Sequence, residues 1–263
     1  MDKITTIIGK EWAEVFRNKL VFSSVLFLPI ILAIIPLGML YAFAHVEGME
    51  AEMADPEIAQ LAGQMCVGLN PLDCSLVYTL NLFVLMFMIL PVAIPVTIAA
   101  YSIVGEKTTR SLEPLLATPI TTIELLAAKI IAAALPAIGA TWLAFALFFV
   151  GARLLAPPAV FAAFYSPHWL LAIFVVAPLL TILSTCIAVI VSSRVTDPRV
   201  AEQLSALVIL PLIFLIIGQS VGLILIDRQV MLWLGLIVLL LDVALLYLAI
   251  RLFRRETILT RWK

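Results

Sequence analysis

Charge is what this sequence has least of: 13% of its residues are Asp, Glu, Lys or Arg, against about 25% in ordinary soluble domains, while 64% are hydrophobic. A water-facing globule is excluded, because a domain of this size keeps a large exposed area that polar groups must cover. Lipid has to supply the missing solvent. Histidine is scarce as well. His45 and His168 fall at the ends of apolar runs, so a serine–histidine hydrolase within the bilayer lacks its base, and H-E-x-x-H is absent. The three cysteines, Cys66, Cys74 and Cys186, show none of the paired spacings of a zinc site, and no metal is expected. No G-x-x-x-x-G-K-[ST] loop occurs, so any ATP must be handled by another chain. The net charge of -1 gives no basis for a nucleic-acid partner.

What is present is a series of long apolar runs: Val21–Ala44, Leu76–Val104, Ile130–Gly151, Trp169–Val191, Leu204–Ile226 and Val230–Ile250. Each exceeds the ~18 residues that mark a spanning helix at 1.5 Å rise per residue. The sequence therefore predicts an all-α membrane protein of six transmembrane helices. Pro91 and Pro95 predict a kink in the second, with freed carbonyls that neighbouring helices must satisfy. The length of the first run reads as an uncleaved span rather than a signal core.

The basic residues order the spans. Lys3, Lys10, Arg17 and Lys19 precede the first; Lys107, Arg110 and Lys129 lie between the second and third; Arg194 and Arg199 between the fourth and fifth; Arg251, Arg254, Arg255, Arg261 and Lys263 follow the sixth. Only Arg153 and Arg228 lie on the other side, which the positive-inside rule reads as both termini in the cytoplasm. Trp12, Trp169, Trp233 and Trp262 fall near span ends, where interfacial anchors are expected, and Trp142 lies inside span three.

Start signals sharpen the boundaries. Ser166-Pro167 and Asp197-Pro198 each place a capping oxygen ahead of a proline. Thr121 and Glu124 form a capping box, with Ile120 and Leu125 as its staple, so a helix should begin near Thr122. Residues 2 to 18 repeat Ile4, Ile8, Trp12, Val15 and Phe16 on one side, the layout of an amphipathic helix along the membrane surface. The first outer loop, about residues 45 to 75, is acidic and lacks Lys and Arg, as outer loops do. Cys66 and Cys74 share it, and a disulfide between them is open.

The stretch from Gly105 to Lys129 reads GEKTTRSLEPLLATPITTIELLAAK. Glu106 and Arg110 are spaced i, i+4, with Glu113 three further on, which alone describes an ion-paired solvated face. The run resembles the cytoplasmic loop of type 2 ATP-binding-cassette (ABC) transporter permeases, G-E-[KR]-x-x-x-[ST]-L-E-x-L-L-x-T-P-[ILV]-[ST]-x-x-E-[LI]-L-x-[GA]-K. Gly105, Glu106, Lys107, Ser111, Leu112, Glu113, Thr118, Pro119, Glu124 and Lys129 are among the matching positions. Lys10-Glu11, the six-span layout and Phe253-Arg254-Arg255-Glu256 are similar to that family too, so the likeness covers the single permease domain 1–263. Arg110 and Ala128 stand where relatives often have glycine, and the short connection at Asp227-Arg228 admits re-entrant outer helices only if Gly218-Gln219-Ser220 interrupts span five.

The resemblance implies an exporter half in the inner or plasma membrane of a bacterium or archaeon. Two such permeases, identical or homologous, would bind two cytoplasmic ATPase subunits. ATP and Mg would sit in those partners, and this chain would bind no cofactor of its own. The loop from Gly105 to about Leu116 would be a coupling helix, with Glu106, Lys107, Arg110 and Glu113 as docking residues. Spans two and five would line the path, making Asn81, Thr97, Tyr101 and Gln219 candidates. Asp242, near the middle of span six, is a candidate in its own right, because an intramembrane acid costs about 2.5–3.5 kcal/mol to insert and rarely faces lipid. An ATP-independent carrier or channel, or a membrane scaffold, is the alternative reading. The substrate is not written in the sequence.

Overall fold

A computed structural model describes residues 2–17, 19–45, 69–108 and 120–252. Among them no strand occurs, and the helices follow in the order α1 Asp2–Arg17, α2 Lys19–His45, α3 Pro71–Phe87, α4 Leu90–Thr108, α5 Thr122–Leu155, α6 Pro158–Ala163, α7 Pro167–Leu171, α8 Ala177–Arg194, α9 Pro198–Ala206, α10 Leu210–Ser220 and α11 Arg228–Leu252. A π-helical turn, Ala172–Val176, joins α7 to α8, and a 3-10 turn, Leu207–Ile209, joins α9 to α10. Six continuous stretches are long and apolar enough to cross a membrane: Val21–Phe43, Leu72–Ser102, Ile123–Leu155, Pro167–Arg194, Pro198–Ser220 and Arg228–Leu252. The six-span all-helical expectation holds.

Most starts follow the local chemistry. Thr121 Oγ1 accepts from the Glu124 N–H at 3.2 Å, while Glu124 Oε2 accepts from the Thr121 N–H at 2.7 Å, completing the capping box ahead of α5. Ile120 packs on the cluster that contains Leu125. Asp197 Oδ1 accepts from the Arg199 N–H at 2.8 Å and starts α9 at Pro198. Ser166 differs: it occupies the N-cap of α7 without a side-chain cap bond, and its hydroxyl lies 3.4 Å from His168 Nε2 instead. Span five closes at Ser220 rather than running to Ile226. Gly222, at φ 75°, sits in the left-handed region, and the Leu223 N–H returns to the Gly218 carbonyl at 2.9 Å, which ends the helix. Residues 221–227 form an irregular connection, with no re-entrant helix before α11.

The prolines explain several cross-helix bonds. A helical proline has no N–H to give the carbonyl four residues back. Pro95 thereby frees the Pro91 carbonyl, and Ser184 Oγ of span four donates to it at 3.1 Å. In the π turn the Ala177 N–H reaches the Ala172 carbonyl, so the matching partner of the Ile173 carbonyl would be residue 178, a proline; Trp142 Nε1 of span three donates there at 3.2 Å. The expected break in span two falls at Met88 and Ile89, between α3 and α4.

Burial ranks the spans. In the most apolar window of each, 67% of span two and 61% of span four is buried, against 17% of spans five and six. Spans two and four are the centre; five and six present Phe214, Ile217, Leu236 and Leu240 outward. The most extensive helix contact is α4 with α8, and α5 packs on α4, with α2 on its outer side. At Gly151 of α5 an added Cβ would lie 2.5 Å from Leu37 Cδ2, so any larger residue there would have to push the Leu37 side chain of span one aside. At the end away from α1, Trp169 stacks on Phe148 with centroids 5.6 Å apart, among Phe87, Phe145 and Phe164. Trp169 is thus fully buried and not the interfacial anchor its position suggested.

Candidate functional site

Three elements converge where the loop between spans two and three is rooted. The last turns of α4 bring Ser102, the first turns of α5 bring Lys129, and α1 crosses both with Glu11. Lys129 Nζ lies 2.7 Å from Glu11 Oε1 and 2.7 Å from Ser102 Oγ, with the Lys129 and Glu11 side chains only 2% and 3% exposed. Buried ions this close must satisfy each other, because water cannot. Burial pushes the Glu11 carboxyl up, but the neighbouring ammonium and hydrogen bonds from Lys129 and Ser102 outweigh it, holding the acid below its ordinary value of 4.5.

Apolar packing surrounds this knot. Ile7 of α1 packs with Leu125 and Ala128 of α5, supported by Ile4 and Ile8. Trp12 Nε1 donates to the Ala132 carbonyl at 2.9 Å. The amphipathic reading of α1 therefore holds as a pattern, but its innermost positions, Ile7, Glu11 and Val15, face the protein, while Phe16 is exposed. Glu11 escaped the sequence reading as a functional residue. The signal was there: it stands four residues after Ile7 and four before Val15, an acid on the apolar stripe.

Of the four docking candidates, Arg110 and Glu113 lie outside the described residues. Glu106 and Lys107 belong to the last turn of α4, with their side chains outside the description. α4 runs to Thr108 and α5 starts at Thr122, so the knot ties down both stems of the loop.

The path candidates are not brought together. Asn81 Oδ1 accepts from Trp169 Nε1 and approaches His168 Nε2, both at 2.9 Å, tying span two to the start of span four. Thr97, roughly 24 Å further along span two, donates to Glu202 Oε1 of α9 at 3.0 Å. Glu202 is a half-buried acid beside span two that the sequence reading did not single out. Tyr101 is half-buried against the core, one turn beyond Thr97. Gln219 is buried with its backbone carbonyl accepting from Tyr78 Oη at 2.8 Å, while its side-chain amide has no partner among the described residues. Asp242 is 3% exposed, neither carboxyl oxygen has a partner among the described residues, and it lies near Cys186 of span four. Cys186 is a free, buried thiol. Cys74 is disulfide-bonded; Cys66 lies outside the described residues.

This arrangement can transmit displacement. A push on the loop moves its stems, and the buried ion pair and packed isoleucines carry α1 with them as one body. In comparison with known proteins, the family model described as ABC-2 family transporter protein matches residues 5–241, nearly the whole chain. No curated protein matches it.

Proposed function

Because the chain belongs to the ABC-2 transporter family, we propose that it is the permease half of an exporter driven by ATP hydrolysis in separate cytoplasmic subunits. Two ATPases and a second permease, identical or homologous, complete the complex in the inner or plasma membrane of a bacterium or archaeon. Both termini and the loop rooted at Gly105 and Thr121 face the cytoplasm, as the distribution of Lys and Arg favours. Glu106, Lys107, Arg110 and Glu113 take part in docking the ATPase. Cys66 is the partner of Cys74 on the outer side.

One observation carries this reading: the buried contact of Glu11, Lys129 and Ser102 locks both stems of the loop to α1. ATP-driven closure of two ATPases can shift a permease only through contacts that differ between its states. A loop on rigid stems supplies such a lever. The α1 helix then moves with the loop along the membrane surface.

The test is co-purification of the tagged chain with an ATPase encoded beside it, followed by transport in proteoliposomes. Charge reversal at Glu106, Arg110 and Glu113 should release the ATPase or uncouple its hydrolysis from transport. Retention of both by all three variants rejects the docking assignment, and labelling of the loop from outside the cell rejects the orientation. A second reading, an ATP-independent carrier, draws on Asp242, an acid within a span that has no partner among the described residues. Transport by the chain alone, without ATP, would establish it.

A further inference from the structure

Spans four and six begin side by side at the end of the bundle away from α1, and a groove of about 690 Å³ runs between them. Its lining includes Pro167, Leu170, Leu171, Phe174 and Leu232, with Arg228 as the one charged group. Leu170, Phe174 and Leu232 are 43%, 53% and 50% exposed, so the groove opens sideways toward lipid, not into the bundle. The π turn at Ala172–Val176 shapes one wall: it buries Ala172, Ile173 and Val176 against the core while turning Phe174 and Val175 outward.

Arg228 stands at the first position of α11, at the depth where span six meets the headgroups. It is exposed and makes no salt bridge among the described residues. The adjacent Asp227 carboxylate is engaged with the Val230 N–H at 2.8 Å, capping the same helix. Leu232 lies one turn deeper, roughly 6 Å along the helix. The order from the end of the span inward is therefore a permanent cation and then an apolar channel. That is the chemistry of a lipid, phosphate first and hydrocarbon after.

We propose that this groove is a binding site for an anionic glycerophospholipid, with one acyl chain between spans four and six and the headgroup phosphate paired to Arg228. A planar guanidinium offers two parallel N–H donors to a phosphate. A headgroup without its own cation leaves that pairing uncontested, which favours anionic over zwitterionic lipids. The site is independent of the transport reading, since it needs only the membrane.

Native mass spectrometry of the full chain tests it, with phosphatidylglycerol and phosphatidylcholine of the same acyl chains as probes. Phosphatidylglycerol should be retained about tenfold better than phosphatidylcholine, the effect of one charge-assisted pairing. Arg228→Gln should abolish the preference and Arg228→Lys keep part of it. Arg153→Gln should leave it intact, because Arg153 lies over the Phe161 ring, 5.4 Å from its centroid, away from the groove. Leu170→Trp, which fills the mouth, should lower retention of both lipids. Equal retention of the two lipids by the wild type, unchanged retention in Arg228→Gln, or an equal loss in Arg153→Gln overturns the proposal. So does a change of oligomeric state in the Arg228 and Leu170 variants without loss of lipid, which would assign the groove to a second copy of the chain.

Discussion

The Trp12 indole N–H, on the first helix, donates to the Ala132 carbonyl of span three at 2.9 Å, and that carbonyl is the one Pro136 leaves without a helical partner. A gap in one helix is thus filled by a side chain from another. Trp12→Phe keeps the ring and removes the donor, so the carbonyl loses this bond; thermal unfolding in detergent should show a loss of about 1–2 kcal/mol. Adding Pro136→Ala restores a backbone N–H for Ala132. The double variant should then recover stability, and a purely additive pair would show that the two features are unconnected.

Glu11 and Lys129 should behave as a unit. Replacing one leaves a buried, unpaired charge, and Glu11→Ala or Lys129→Met should each cost about 3–5 kcal/mol. Glu11→Leu combined with Lys129→Met removes both charges and should be far milder than the sum. In the assembled transporter the double variant is also informative: a bundle that stays folded with its ATPase subunits hydrolysing ATP, yet without transport, would show that rigidity at the loop stems is required.

The same pair sets an acid limit. Because Glu11 titrates below 4.5 in the folded protein, its ion pair contributes stability that is fully present above 4.5 and is lost as the pH falls through the lower, folded value. Acid unfolding followed by intrinsic fluorescence should therefore steepen below 4.5 in the wild type. Glu11→Gln should be less stable at neutral pH and flatter in that window. Parallel curves for the two proteins would contradict the assignment.

Asp242 separates stability from function. Neither of its oxygens has a partner among the described residues, so Asp242→Leu should leave the fold intact or raise its unfolding temperature. If the acid serves transport, Asp242→Asn should abolish it in proteoliposomes while ATPase binding persists. Wild-type transport by Asp242→Asn would restrict the residue to packing.

The thiols should report topology. In the native protein Cys186 is buried and should resist maleimide, and Cys74, itself only 2% exposed and disulfide-bonded, should react only once the protein is both reduced and unfolded. Labelling Cys66 from the outside of reduced, sealed cells would place the first outer loop as the charge distribution does. Reaction from the inside only would invert the whole arrangement.

Six spans, their approximate ends and the start of α5 were legible in the sequence, because each depends on neighbours along the chain. Hydropathy over some twenty residues fixes a crossing. A capping box is complete within four residues, and Thr121 with Glu124 formed as written. The family, too, was legible in the loop from Gly105 to Lys129, since its motif is contiguous.

What the sequence could not determine is which polar side chains meet. Glu11 and Lys129 are separated by 118 residues, Trp169 and Asn81 by 88, and Thr97 and Glu202 by 105, so each contact exists only once the helices are packed. Asn81, a path candidate, is the partner of Trp169, which lies in a buried cluster rather than at the interface its position suggested. The reason is the solvent: in a bilayer a polar group finds no water, so it seeks whatever donor or acceptor packing brings near. Local sequence decides that a helix crosses; the angular positions of all its neighbours decide what each of its polar residues is for.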